Sequence, residues 1–166
     1  MNNRFFRYIG LGVLALTISL LSACLPSFDK SLSPLTIVTS TKEHHTFYVE
    51  IPFSQEGRIK GLMHRESLDP QSGMLFWLGS EKPVSFWMKN TLIPLDMIFI
   101  AKDGTITRIH ENAQPLDETP IPSHGAVMAV LEINGGQASD MGIKPGDKVF
   151  HRLFGNADAK GQILTP

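Results

Sequence analysis

Cysteine is nearly absent from this chain: Cys24 is the single one among 166 residues, so no disulfide can form within it. Charge is also sparse. Fifteen Lys and Arg stand against 16 Asp and Glu, for a net charge of −1. Without a basic excess there is no electrostatic footprint for nucleic acid, and without an acidic excess none for a cationic partner. The common catalytic signatures are missing too: there is no Gly-x-Ser-x-Gly elbow and no phosphate-cradling glycine loop. The six histidines, His44, His45, His64, His110, His124 and His151, show no His-Glu-x-x-His or other zinc spacing. No internal repeat is visible, and no cofactor is expected.

The most specific signal present is at the N-terminus. Arg4 and Arg7 precede an apolar run from Tyr8 to Leu21, shorter than the roughly 20 residues of a comfortable membrane span. A positive start, a short apolar centre and small residues after it make a secretory signal peptide. Its ending, Leu21-Ser22-Ala23-Cys24, resembles the bacterial lipoprotein cleavage box. The resemblance implies removal of residues 1–23 and lipid attachment to Cys24. The alternative is a plain signal peptide with a chance cysteine. Each acyl methylene buried in a bilayer contributes about 0.8 kcal/mol, so lipidation would anchor the mature chain. Leu25, rather than an aspartate, follows the cysteine. By resemblance to known lipoproteins, the expected location is the outer membrane, facing the periplasm.

Beyond the anchor, 42% hydrophobic and 19% charged residues suit one folded domain rather than disorder. Residues 24–43 are rich in Ser, Thr, Pro and Leu without a period and read as a lipidated start and flexible tether. Residues 44–154 form the domain. His44 to Phe53 alternates, with Phe47, Val49 and Ile51 on one side, as a half-buried strand does. Ser54 caps a helix predicted from Gln55 to about Arg65, with Ile59, Leu62 and Met63 as its buried face. Gly61 weakens that helix and so points to a close packing contact. Strands are predicted at Met74–Leu78, Val84–Met88, Leu95–Ile100, Thr105–His110, Ala126–Ile133 and Lys148–Phe154. Asp103-Gly104 marks a tight hairpin. Lys144-Pro145-Gly146-Asp147 matches a type II turn. Ala113–Gly125, with Pro115, Pro120 and Pro122, reads as a mobile loop, and residues 155–166 as a loose tail. The fold class expected is α+β, mostly β: about seven short strands in a compact antiparallel sheet, curled or barrel-like, with one packed helix.

Several motifs occur in order: Gly61-Leu62-Met63-His64-Arg65, Gly73-Met74-Leu75-Phe76, Trp87-Met88-Lys89-Asn90-Thr91, Ile93-Pro94-Leu95-Asp96, Leu131-Glu132-Ile133-Asn134-Gly135-Gly136 and Gly146-Asp147. Together they resemble domain-of-unknown-function family 192, over roughly residues 45–153. The resemblance implies a compact β-rich fold with one packed helix and carries no established reaction. His64 departs from the usual pattern and is not taken as a ligand.

Within those motifs, Arg65, Lys89, Asn90, Asp96 and Glu132 are polar groups set among apolar neighbours, which is expensive unless they are paired. Converging, they would make a pocket walled by Phe76, Trp87 and Met88. Two readings stay open. In one, these residues hold a small ligand. In the other, Asp96 fixes the Asn90-Thr91 turn through backbone N–H groups and Lys89 or Arg65 pairs with Glu132. The functional expectation is a lipid-anchored envelope module that binds a small ligand or an envelope protein, with the membrane as its other partner and no nucleic acid. The rivals are an envelope hydrolase or lyase using Lys89 and Asp96 and a Cu(I)-binding protein using Met63, Met74, Met88 and Met97.

Overall fold

The computed structural model describes residues 32–164; Cys24 and the signal segment lie outside them. In chain order the elements are β1 (Ser33–Val38), β2 (His44–Glu50), α1 (Gln55–Lys60), β3 (Ser72–Lys82), β4 (Ser85–Phe86), β5 (Leu95–Ile100), β6 (Ile106–Ala113), β7 (Ile121–Pro122), β8 (Val127–Asn134), α2 (Gln137–Asp140) and β9 (Lys148–Phe150). A 3₁₀ turn over Arg152–Phe154 follows. Seven strands form one sheet in the order β6-β5-β8-β3-β2-β1-β9, and β4 pairs with β7 in a second, small sheet.

The mostly β architecture matches expectation, with three corrections. The large sheet is mixed, because β2 and β3 run parallel. A parallel pair needs a crossover, and α1 with its flanking turns supplies it. The sheet is also not a closed barrel. Its two edges meet only at one corner, where Thr105 bridges Lys148 and Ile106 N–H donates to Asp147 C=O at 2.9 Å. The edge strand β9 has 3 residues, too short to zip along the 8 of β6. Finally, Val84–Met88 and Leu95–Ile100, which read in the sequence as a central pair of strands joined by a polar turn, are not partners: β4 joins β7, while β5 lies between β6 and β8.

The stretch read as tether contributes β1. Leu35 and Ile37 are fully buried, and β1 pairs with both β2 and β9. Pro34 is tolerated because β9 reaches only Thr36–Val38, so the missing N–H interrupts no ladder on that side. The C-terminal stretch is fastened as well. Asn156 Nδ2 donates to Val149 C=O at 2.9 Å, and Asn156 Oδ1 accepts the His151 N–H at 2.9 Å. Ala113–Gly125 is not a free loop: β7 interrupts it, Met88 N–H donates to Asp117 C=O at 2.8 Å, and Leu116 N–H donates to Thr91 C=O at 3.1 Å.

The helix is shorter than predicted. Ser54 Oγ accepts the Gly57 N–H at 3.0 Å, Glu56 occupies the first turn, and Arg58 and Lys60 close the last, each charge suited to the helix dipole. None of its residues is buried, and Ile59 is 63% exposed. Ile59, Leu62 and Met63 therefore share no helical face, since the helix stops at Gly61. Gly61 has φ +49°, and a Cβ there would lie 3.3 Å from the Phe76 ring. The close contact predicted for this glycine is present, at the helix end.

Strand parity divides the core. Ile98 and Ile100 of β5, Leu131 and Ile133 of β8, and Leu75 of β3 belong to one cluster. Leu95, Met97, Phe99, Val130, Met74 and Phe76 belong to the other. Successive side chains point to opposite faces, so these are the two sides of the sheet, both dry. Each fully buried Leu, Ile or Phe contributes about 1.5–3 kcal/mol. Ala138 of α2 sits in the first cluster. The second is covered by Leu62, Met88 and Ile93, with Ile121 and Phe86 from the small sheet.

Candidate functional site

The same parity separates two of the candidate residues. Directly paired residues share a face. Asp96 is opposite Ile133, while Met97 is opposite Glu132 and Met74 is opposite Glu132 from β3. Asp96 therefore points to the α2 side and Glu132 to the side covered by the small sheet.

Asp96 is fully buried. Its Oδ1 accepts N–H groups from Asn112 at 2.7 Å and Gly136 at 2.9 Å, and its Oδ2 accepts from Ala138 at 2.8 Å. It is a structural staple joining β5, β6 and the start of α2. It fixes those segments rather than the Asn90-Thr91 turn. That turn holds itself: Asn90 has φ +54°, Thr91 N–H donates to Met88 C=O at 3.1 Å, and Asn90 C=O accepts the His64 N–H at 2.8 Å.

Arg65 does not pair with Glu132. It makes a bidentate bridge to Glu50, at 2.7 and 2.8 Å, across a neighbouring hollow of about 280 Å³ that also includes Lys60, Gly61 and Met74. Nor does Lys89 pair with Glu132 or Asp96. Its Nζ lies 3.8 Å from Glu118 and 5.2 Å from the centre of the Trp87 ring. Both ends of the Lys89–Glu118 pair are well exposed, so the pair itself adds little stability.

Glu132 is the residue left over. It is 5% exposed, and among the described residues no hydrogen bond or ion pair reaches its carboxyl group. Burial alone pushes its pKa up to about 8, so near neutrality the group is a neutral acid, able to donate one hydrogen bond and accept others. It lines a narrow cavity of about 50 Å³ together with Phe76, Phe86, Trp87, Thr91 and Lys89. Arg58, Lys60 and Gly61 complete the mouth from the end of α1. Trp87 is 49% exposed there. Of the sequence candidates, the structure thus brings Glu132, Trp87 and Lys89 together. It places Arg65 in the adjoining hollow, Asn90 beside it in the supporting turn, and Asp96 on the other face of the sheet. Arg58, Lys60, Phe86 and Thr91 were missed. A basic last turn followed by glycine was the one available signal for Arg58 and Lys60.

Two other polar groupings lie apart from this pocket. Ser33 Oγ and His151 Nε2 lie 2.8 Å apart in a buried pair. His151 Nδ1 accepts the Leu153 N–H at 3.2 Å, and burial next to Arg152 lowers the pKa to about 4. The neutral ring must then carry its proton on Nε2 and donate it to serine, which is the reverse of a general base. This pair is a structural tie. A wider hollow of about 360 Å³ lies among Arg108, His110, Asn112 and Asp117. Arg108 is already engaged there by the Pro122 carbonyl, at 2.9 Å, and by the Phe99 ring, at 5.2 Å. Among the described residues no group of three or more His, Cys, Asp or Glu side chains is placed to hold a metal. Met74, Met88 and Met97 are buried in the core. No described helix is long and apolar enough to cross a membrane.

No curated protein matches the chain. Several solved structures resemble it, among them these two. One is a protein from Sinorhizobium meliloti 1021, proposed as a transcription regulator. It is 43% identical, with 74% of this chain and 95% of that one covered and a TM-score of 0.72. The other, from Novosphingobium aromaticivorans DSM 12444, is of unknown function. It is 45% identical, with 71% and 84% covered and a TM-score of 0.68. The family model described as Uncharacterized ACR matches residues 36–151, a span that contains β2 through β9 and every residue of the Glu132 pocket. The chain belongs to domain-of-unknown-function family 192.

Proposed function

We propose that this protein binds a small ligand in the pocket over Glu132 and does so in the cell envelope, held to a membrane by acyl chains on Cys24. The observation that carries the binding reading is the unpartnered carboxyl group. A buried acid without a hydrogen-bond partner costs folding stability, and a nonpolar residue beside Met74 and Met97 would pack without that cost. A strongly perturbed acid at the floor of a cleft with aromatic walls is the pattern expected of a binding site. The hydrolase or lyase reading is weaker, because its two residues, Lys89 and Asp96, do not meet.

Protein extracted in mild detergent from its own envelope and examined by native mass spectrometry should carry a bound small molecule, and the Glu132→Leu variant should arrive bare. A wild-type protein without an adduct, or an adduct retained by Glu132→Leu, would overturn the reading. The anchor is tested separately. Cells fed radiolabelled palmitate should label the wild-type protein and not Cys24→Ser, and a wild-type protein that takes up no label would contradict lipidation.

A further inference from the structure

The pocket's chemistry narrows the ligand class; this step rests on the binding reading above. A cavity of about 50 Å³ has room for about four heavy atoms, at the 10–15 Å³ that each water-sized centre needs. The group entering it must face a carboxylic acid that offers one donor and one acceptor. The donor decides: an amide carbonyl, a strong neutral acceptor, accepts the Glu132 O–H, while the N–H of a trans secondary amide points the opposite way and is left for water or the rim. An acetamido group has the right size and leaves its methyl against Phe76 and Phe86. Besides Glu132, the charged residues lining the pocket are cations, Arg58 and Lys60 on α1 and Lys89 on the turn after β4. Glu118 stands 3.8 Å from Lys89 Nζ and offsets part of its charge, which leaves Lys60 and Arg58, the latter also donating to the Phe53 carbonyl at 2.7 Å, as the net positive side. From β3 and β5 the residues paired with Glu132 are Met74 and Met97, both uncharged. Arg65 is occupied by Glu50 in the neighbouring hollow. A cationic ligand would be repelled at this mouth, and an anionic one drawn in.

We propose that the pocket recognises a small N-acylated acid, its amide seated against the Glu132 carboxyl group and its carboxylate held at the rim by Lys89, Lys60 and Arg58. N-acetylated amino acids and N-acetylated amino sugars that bear a carboxylate share this chemistry. The half-exposed Trp87 offers a surface on which a sugar ring would gain further contact.

The test is calorimetric titration of the full chain in detergent with N-acetylalanine, N-acetylmuramic acid, N-acetylglucosamine and alanine. Both acylated acids should bind. N-acetylglucosamine, which lacks the carboxylate, should bind about ten-fold more weakly than N-acetylmuramic acid, and alanine, which lacks the acyl group, not at all. N-acetylmuramic acid exceeding N-acetylalanine about ten-fold identifies the sugar source; equal affinities identify the amino-acid source. Affinity should fall about ten-fold or more between pH 6.5 and pH 9.5, as Glu132 loses its proton. Glu132→Gln keeps a donor and an acceptor, so it should bind with little dependence on pH. Glu132→Leu should lose binding while its urea midpoint stays at or above wild type. Failure of both acylated acids to bind at millimolar concentration, or binding that survives Glu132→Leu, overturns the proposal. If the natural adduct is still lost in Glu132→Leu while both acids fail, the ligand class is wrong and the pocket stands.

Discussion

Two buried acids on neighbouring strands behave oppositely. Asp96 gathers three backbone N–H groups, so its removal should harm the fold. Asp96→Asn places an amide N–H₂ against at least one of those donors, and a loss of about 3 kcal/mol is expected in urea denaturation. A loss below about 1 kcal/mol would mean the staple is dispensable. Lys89→Met, in contrast, breaks only an exposed pair and should leave the midpoint within about 0.5 kcal/mol. Glu132 has no partner to lose. Its folded pKa of about 8 stands above the ordinary value of 4.5, so its favourable contribution is complete below pH 4.5 and is lost as pH rises toward 8. Glu132→Gln should therefore be more stable than wild type at pH 8 and close to it at pH 4.5. The difference, read from urea midpoints, should amount to a few kcal/mol. The sequence marked both acids as out of place, but it could not tell them apart. In Leu95–Ile100 and in Val127–Ile133 both faces are apolar, so alternation gives no cue to direction. Only the register that sets Met97 against Glu132 assigns the faces.

At the scale of elements, α1 matters for where it stops. Its last turn carries Arg58 and Lys60 to the pocket mouth, and Gly61 turns the chain in a conformation that L side chains rarely adopt. Gly61→Ala should cost about 1–3 kcal/mol, with the methyl group also pressing on Phe76. Ligand affinity should fall with it, measurable in the same titrations; an unchanged thermal midpoint would show that the turn relaxes freely. The apolar strands Leu95–Ile100 and Ala126–Ile133, the Asp103-Gly104 hairpin and the Lys144–Asp147 turn were all legible, because long apolar runs and φ-positive glycines are local signals. The short helix was overextended, because Leu62 and Met63 continue a helical spacing after the helix has ended. β1 was missed because Ser33 and Pro34 open it in a Ser- and Pro-rich stretch, and although β2 follows after a short turn, its other neighbour β9 is far along the chain. The small β4/β7 sheet was hidden among prolines for the same reason: its pairing is nonlocal.

For the whole molecule, two buried titrating groups shape the response to pH. His151 is held neutral, with a folded pKa of about 4 against 6.5. Its contribution is complete above pH 6.5 and lost as pH falls toward 4. Glu132 has the opposite slope from 4.5 to 8. Between pH 4.5 and 6.5 the two nearly cancel, at about 1.4 kcal/mol per pH unit each at most. Above pH 6.5 only the loss from Glu132 remains. A urea series should show a plateau followed by a decline to pH 8, and His151→Gln should tilt the plateau so that stability falls as pH rises.

The strand at Ser33 also bears on position within the cell. Because β1 begins at Ser33, within what reads as slack chain, the stretch from Cys24 to Ser33 reaches about 30 Å at full extension. With acyl chains on Cys24, the folded body would work within one domain diameter of the lipid headgroups. It could sample only molecules that come to that surface, and it could not patrol the space beyond.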